Sequence, residues 1–134
     1  MIVTRTPFRI TLGGGGTDLP SYYSKRGGFI FSAGIDKYMF ITANQPPVDD
    51  FIRVKYSQSE TVERLGDLKH DIAREILRFT GFEKGIEITS IGDLPAQMGL
   101  GSSSCYAVGL LNALHALKRD HVPLAQLAEE DFHI

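Results

Sequence analysis

A chain of 134 residues, 43% hydrophobic and 22% charged, is long enough to bury one core and short for two domains. A formal charge of −2 leaves no basic excess, which argues against a nucleic-acid partner, and a single cysteine, Cys105, excludes an internal disulfide framework. The opening Met1-Ile2-Val3-Thr4-Arg5-Thr6 lacks the layout of a signal peptide, and no apolar run approaches the ~20 residues of a membrane span. The expected location is therefore the reducing cytoplasm, with no membrane as partner.

Residues Ile2 to Leu12 alternate loosely between apolar and polar, which predicts a half-buried strand. Pro7 removes a ladder donor from it, so an edge position or a bulge is expected. Gly13-Gly14-Gly15-Gly16-Thr17-Asp18 reads as a loop, since neither helix nor strand interiors tolerate four glycines cheaply. Asp18 and Pro20 then open a short helix through Tyr22, Tyr23 and Lys25, closed by Gly27 and Gly28. Two strands follow, Phe29 to Ala33 and Ile35 to Ala43, with Gly34 between them. A turn over Asn44 to Asp50 leads to a strand over Ile52 to Tyr56, and the strand-rich first half predicts a mostly antiparallel sheet.

Ser57 to Leu68 reads as polar and irregular, with a helical turn around Val62 to Leu65. A helix is expected over about Lys69 to Thr80, where Ile72, Ile76, Leu77 and Phe79 gather on one side and Gly81 supplies the stop. Ile86 to Ile91 reads as a strand. From Ser104 to about Lys118 the pattern is helical, and Ala107, Leu110, Leu111, Leu114 and Leu117 form a wide apolar arc that predicts burial. Pro123 begins a last helix.

Between the last strand and that apolar helix lies Pro95-Ala96-Gln97-Met98-Gly99-Leu100-Gly101-Ser102-Ser103-Ser104. No lysine follows the second glycine, as a Walker A loop requires, and the third glycine of a dinucleotide fingerprint is missing. What remains is a glycine turn opening a helix, which offers backbone N–H groups to phosphates and hydroxyls to an accompanying Mg²⁺. The same residues also suit a serine-rich cap on a core helix, although the paired glycines favour the anion turn. Cys105 reads as a small buried residue, and His70, His115, His121 and His133 show no metal-ligand spacing. His115 shares a helix side with Val108 and Asn112, which suggests a partly buried, hydrogen-bonded histidine.

Pro95-x-x-x-Gly99-Leu100-Gly101-Ser102-Ser103 resembles the second signature of the galactokinase, homoserine kinase, mevalonate kinase and phosphomevalonate kinase superfamily. Pro7-Phe8-Arg9-Ile10-Thr11-Leu12-Gly13-Gly14-Gly15-Gly16-Thr17-Asp18 resembles its first. With Ile35-Asp36-Lys37-Tyr38 and Gly85-Ile86-Glu87-Ile88-Thr89-Ser90, the sequence is most similar to the D-glycero-D-manno-heptose 7-phosphate kinases. The resemblance implies an α+β fold like ribosomal protein S5 domain 2, followed in family members by a ferredoxin-like C-terminal domain, with the active site between the two.

It also implies ATP and Mg²⁺. The phosphates would rest on Gly99, Leu100, Gly101, Ser102, Ser103 and Ser104, with Ser103 contacting Mg²⁺. Arg9 matches the catalytic arginine near the reacting hydroxyl, and Gly14, Gly15, Gly16, Thr17 and Asp18 fall where the sugar binds. For Arg9 the alternative is a surface salt bridge, and for Asp18 a helix N-cap at Leu19-Pro20. Lys25 and Arg26 are candidates for a sugar 7-phosphate or are solvated charges. The family's catalytic aspartate, acidic Mg²⁺ ligand and third glycine-rich signature would lie beyond Ile134. Residues 1–134 are thus expected to be the N-terminal ATP-binding domain of a kinase that phosphorylates the anomeric hydroxyl of heptose 7-phosphate, with impaired activity at this length. Self-association through the surface left by the missing domain follows. The alternatives are a non-catalytic nucleotide-binding or assembly module, or a kinase for another sugar such as fucose or galactose.

Overall fold

The computed structural model describes residues 1–95 and 98–134; Ala96 and Gln97, inside the second motif, lie outside the described residues. The elements follow as β1 (Ile2–Gly13), α1 (Pro20–Arg26), β2 (Phe31–Asn44), β3 (Ile52–Lys55) and β4 (Ser59–Val62). They continue as α2 (Asp71–Thr80), β5 (Ile86–Gly92), α3 (Ser102–Leu117) and α4 (Leu124–His133), with a 3₁₀ turn at Leu65–Asp67. The sheet order is β1-β2-β5-β3-β4; among the described residues β3 and β5 pair in parallel and the other neighbours are antiparallel. The mostly antiparallel α+β architecture is the one expected.

Period-two alternation separates the two sheet faces. Ile41, Ala43, Ile52, Val54, Ile86 and Ile88 are fully buried against the apolar sides of α2 and α3. Arg53, Lys55, Glu87 and Thr89 occupy the opposite face, where Lys55 and Glu87 pair at 3.6 Å. Helix α3 is the central element: Leu110, Leu111 and Leu114 are completely buried, and burial of each contributes about 1.5–3 kcal/mol. It reaches the sheet closely because Gly109 has no side chain there. The buried Thr4 hydroxyl donates to the Gly109 carbonyl at 2.8 Å, tying α3 to β1.

Pro7 has both of its expected consequences. Strand β1 is at the sheet edge, and its register with β2 breaks between Pro7↔Tyr38 and Arg9↔Gly34. Beyond the break, β1 and β2 continue as a two-stranded ribbon whose tip carries the glycine loop and α1, a helix with no buried residue.

Four expectations are corrected. Gly34 does not separate two strands but lies inside β2 opposite Arg9, because the bulged ladder accepts a residue with no side chain where the ribbon leaves the sheet. The stretch taken as irregular contains β4, whose short register with β3 runs from Ile52↔Val62 to Lys55↔Ser59, and its turn is the 3₁₀ turn at Leu65–Asp67. Phe79 is exposed, while Thr80 is buried with its hydroxyl on the Ile76 carbonyl at 2.7 Å. Helix α3 starts at Ser102, so all three serines belong to its first turn.

A Cβ at Gly109 would lie 2.9 Å from Thr6 Oγ1 and 3.2 Å from Ile41 Cδ1. Alanine needs only small shifts of those side-chain ends, whereas Gly109→Val overpacks the contact and should destabilise the domain by about 2 kcal/mol or more. Urea unfolding measures this; an unchanged midpoint would show slack between α3 and the sheet.

Candidate functional site

Gly99 and Gly101 both take left-handed backbone conformations, with φ 70° and 73°. Gly101 is the N-cap of α3, and no side chain among the described residues caps the helix start. The Cys105 amide is the first to bond within the helix, to the Gly101 carbonyl at 2.9 Å, so the Ser102, Ser103 and Ser104 amides have no intrahelical acceptor. The serine-cap alternative is therefore not realised, and the helix start keeps its donors and positive dipole end for an anion.

The register break in β1 brings Arg9 to this turn. Its amide donates to the Leu100 carbonyl at 3.3 Å, and its side chain lies over Gly101. A Cβ on Gly101 would sit 3.3 Å from Arg9 Nε and 3.4 Å from Cζ, so positive φ and close approach both favour glycine there. The Arg9 guanidinium donates from Nη1 to the neutral Thr11 hydroxyl at 2.6 Å rather than to a carboxylate. The surface salt bridge considered for Arg9 is not what the structure shows.

The four-glycine loop is clasped by Thr17. The Thr17 hydroxyl is within donor reach of the Gly14 carbonyl at 2.7 Å and the Phe29 carbonyl at 2.9 Å, and accepts from the Phe29 amide at 3.1 Å. A Cβ on Gly14 would fall 1.8 Å from the Phe29 carbonyl oxygen, at φ 83°, so only glycine fits. Asp18 does not cap α1: the N-cap is Leu19 without a side-chain bond, and Asp18 accepts from the Gly16 amide at 3.1 Å while remaining exposed. Thr17, Asp18, Tyr23, Phe29 and Phe132 of α4 line an open cleft of about 620 Å³. Lys25 and Arg26 lie exposed in the last turn of α1.

Cys105 is buried, with its thiol 3.2 Å from the Pro7 carbonyl. Burial pushes that thiol's pKa up, Arg9 pulls it down, and Asp131 of α4 pushes it up. Burial also raises the Asp131 carboxyl above the ordinary carboxylate range. His115 is partly buried, as expected, and pairs through Nε2 with Glu130 Oε2 at 2.8 Å, leaving Nδ1 without a partner among the described residues. No group of three metal-binding side chains occurs among the described residues.

A second cleft, of about 340 Å³, adjoins Ser102 and Ser103 and is lined by Met39, Tyr56, His70, Ser90 and Tyr106. His70 stacks on Tyr106, ring centroids 4.7 Å apart, and meets the edge of Tyr56 at 4.6 Å. Glu60 secures this cluster by accepting from the Tyr56 hydroxyl at 2.9 Å and from the Lys69 and His70 amides at 2.7 and 3.2 Å. Burial opposes the Glu60 charge, but these bonds outweigh it and lower the carboxyl's pKa. His70 Nδ1 accepts from the Ala73 amide at 3.3 Å, capping α2, and burial lowers its pKa against the pull of Glu60. Sequence reasoning missed this wall. Tyr106 could have been found, being four residues after Ser102 on the same helix side; Met39, Tyr56 and His70 arrive from three other parts of the chain.

A glycine turn at a helix start, faced by an arginine, sets free backbone donors and a positive charge side by side, an arrangement suited to an anion. The family model described as the GHMP kinases N terminal domain matches residues 67–133, and the chain belongs to that family. It is 33% identical, across 84% of its own length and 36% of the relative's, to the D-glycero-alpha-D-manno-heptose 7-phosphate kinase of Campylobacter jejuni subsp. jejuni serotype O:2. The D-glycero-D-manno-heptose 1-phosphate kinase of Bacteriodes thetaiotaomicron superposes with a TM-score of 0.83 at 24% identity, covering 98% of this chain and 47% of that one. The phosphomevalonate kinase of Streptococcus pneumoniae, solved with phosphomevalonate and AMPPNP, superposes with a TM-score of 0.74 at 20% identity over 98% of this chain and 41% of that one. The chain thus spans less than half the length of these relatives. No helix among the described residues is long and apolar enough to cross a membrane.

Because burial holds His70 below the ordinary imidazole value of 6.5, the unfolded chain takes up this proton at higher pH than the folded one. The stability it contributes is complete above about pH 6.5 and falls as the pH drops through the lowered folded value. His70→Asn keeps an acceptor for Ala73 and cannot titrate, so it should flatten this part of the profile. Thermal unfolding midpoints between about pH 8 and about pH 5 test this, and an equally steep profile would refute it.

Proposed function

We propose that this chain is the nucleotide-binding half of an ATP-dependent sugar-phosphate kinase whose substrate is a heptose phosphate. The observation that carries the reading is the meeting of the two motifs, with Arg9 lying over Gly101 at the uncapped start of α3. The ATP phosphates sit on the turn from Gly99 to Ser104, and the base enters the aromatic cleft beside Ser102 and Ser103. Ser103 is the residue of this chain that would hold Mg²⁺, through its hydroxyl, and the ion would neutralise charge on the phosphates. The Arg9 cation stabilises charge on the transferring phosphoryl group.

The sugar lies against Gly14, Gly15, Gly16 and the exposed Asp18 carboxylate, with Thr17 acting as the clasp that shapes the loop. Its nucleophile is the anomeric hydroxyl of heptose 7-phosphate, giving a 1,7-bisphosphate. The names of two relatives support a heptose phosphate, one a 7-phosphate and the other a 1-phosphate. The reaction takes place in the cytoplasm. At this length the chain binds Mg·ATP with little or no turnover, since it carries less than half of the relatives' length.

Titration calorimetry with Mg·ATP should show binding, weakened about fivefold by Ser103→Ala and about tenfold or more by Arg9→Ala, whose bond to phosphate is charge-assisted. Unchanged affinity in both variants would remove the assignment. For the whole kinase, ADP release with heptose 7-phosphate should exceed that with heptose 1-phosphate, fucose or galactose; preference for another sugar would replace the substrate.

The ribbon tip exposes Leu12 at 65%, Phe29 at 76% and Phe31 at 60%, a concentration of apolar surface at one end of the molecule. A second copy of the chain covers it. Sedimentation should show a concentration-dependent dimer that Phe29→Asp returns to monomer, and a monomer at all concentrations would exclude this.

A further inference from the structure

We infer that Thr11 is a positioning residue, holding the Arg9 guanidinium over the start of α3 and setting its distance from the four-glycine loop. The inference rests on the reading of Arg9 as the cation that faces the phosphates. Thr11 follows Arg9 by two residues on β1, so both side chains project from one face of the strand. Arg9 Nη1 donates to Thr11 Oγ1 at 2.6 Å. The held group is exposed, whereas its anchor is half-buried and therefore the more fixed of the two.

The anchor's other branch meets the loop: a Cβ on Gly15 would lie 3.7 Å from the Thr11 methyl. One β-branched side chain thus bonds the cation and borders the space beside Gly15, and its stiff χ1 fixes where the guanidinium rests relative to the loop. Gly34 stands opposite Arg9 in the register and brings no side chain there, so nothing on β2 at that position competes with Thr11 as a rest for the guanidinium. An unanchored arginine spreads its charge over many rotamers and must be ordered when an anion arrives; holding it beforehand reduces that ordering cost.

Thr11→Val keeps the shape and branching and deletes the acceptor, while Thr11→Ser keeps the acceptor. In the ligand-free protein, the ¹⁵N relaxation of the Arg9 Nε–H should report faster motion in Thr11→Val and native behaviour in Thr11→Ser. Mg·ATP affinity should fall about three- to tenfold in Thr11→Val and stay within about twofold in Thr11→Ser. In an Arg9→Ala background, Thr11→Val should add no further loss. An immobile Arg9 signal in Thr11→Val, or an equal loss of affinity with and without Arg9, overturns the inference. If Arg9→Ala weakens binding and Thr11→Val does not, Thr11 alone is rejected; if Arg9→Ala binds Mg·ATP normally, the phosphate reading of Arg9 falls and takes the inference with it.

Discussion

The close seating of α3 on β1 and β2 is the constraint on which the rest depends. At Gly109 the helix backbone comes near enough for the Thr4 hydroxyl to reach its carbonyl at 2.8 Å, a seating that a bulky side chain there would push against Thr6 and Ile41. From that contact the helix runs back through eight residues to Gly101, about 12 Å, while β1 runs forward through five residues to Arg9, about 16 Å. The two spans are similar enough for the helix start and the bulged strand to meet. Their meeting is recorded in the bond from the Arg9 amide to the Leu100 carbonyl.

Pro7 and Gly34 make that meeting local rather than strained. Proline cannot donate to a ladder, so it is tolerated at the edge of the sheet, and the register shift after it lets the following residues turn toward α3. The ribbon beyond the shift packs little of its surface. Its geometry is held mainly by polar means: the Thr17 hydroxyl spans Gly14 and Phe29, and Asp18 ties back to the Gly16 amide. A loop made this way exposes backbone to a ligand without relying on a hydrophobic core.

The other wall is held by a different kind of interaction. Glu60, on the outermost strand β4, accepts from the chain entering α2 and from Tyr56, and so presents His70 to the Tyr106 ring. A carboxylate at the sheet edge thereby sets the position of an aromatic surface next to the serine turn. Helix α2 depends on the same histidine for its cap, so the cleft wall and the helix start are one structure.

Sequence alone determined the parts whose chemistry is local. Four consecutive glycines must be a loop, the glycine-serine turn must open the apolar helix, and Pro7 must sit at an edge or a bulge, because backbone sterics and the missing donor act within a few residues. Family resemblance in the two motifs correctly pointed to the GHMP kinase fold. Gly34 is ambiguous in the sequence because glycine in a strand and glycine between strands look alike until the partner strand is known. β4 is not legible locally because its polar residues become a strand only by pairing with β3, and the exposure of Phe79 is not legible because helical periodicity does not say where the packed face ends. Only the tertiary structure decided that Arg9 lies on Gly101 and that Tyr56, His70 and Tyr106 form one surface. Those contacts join residues tens of positions apart, and the close approach that permits them is set by side-chain volume between packed elements, which no local pattern encodes.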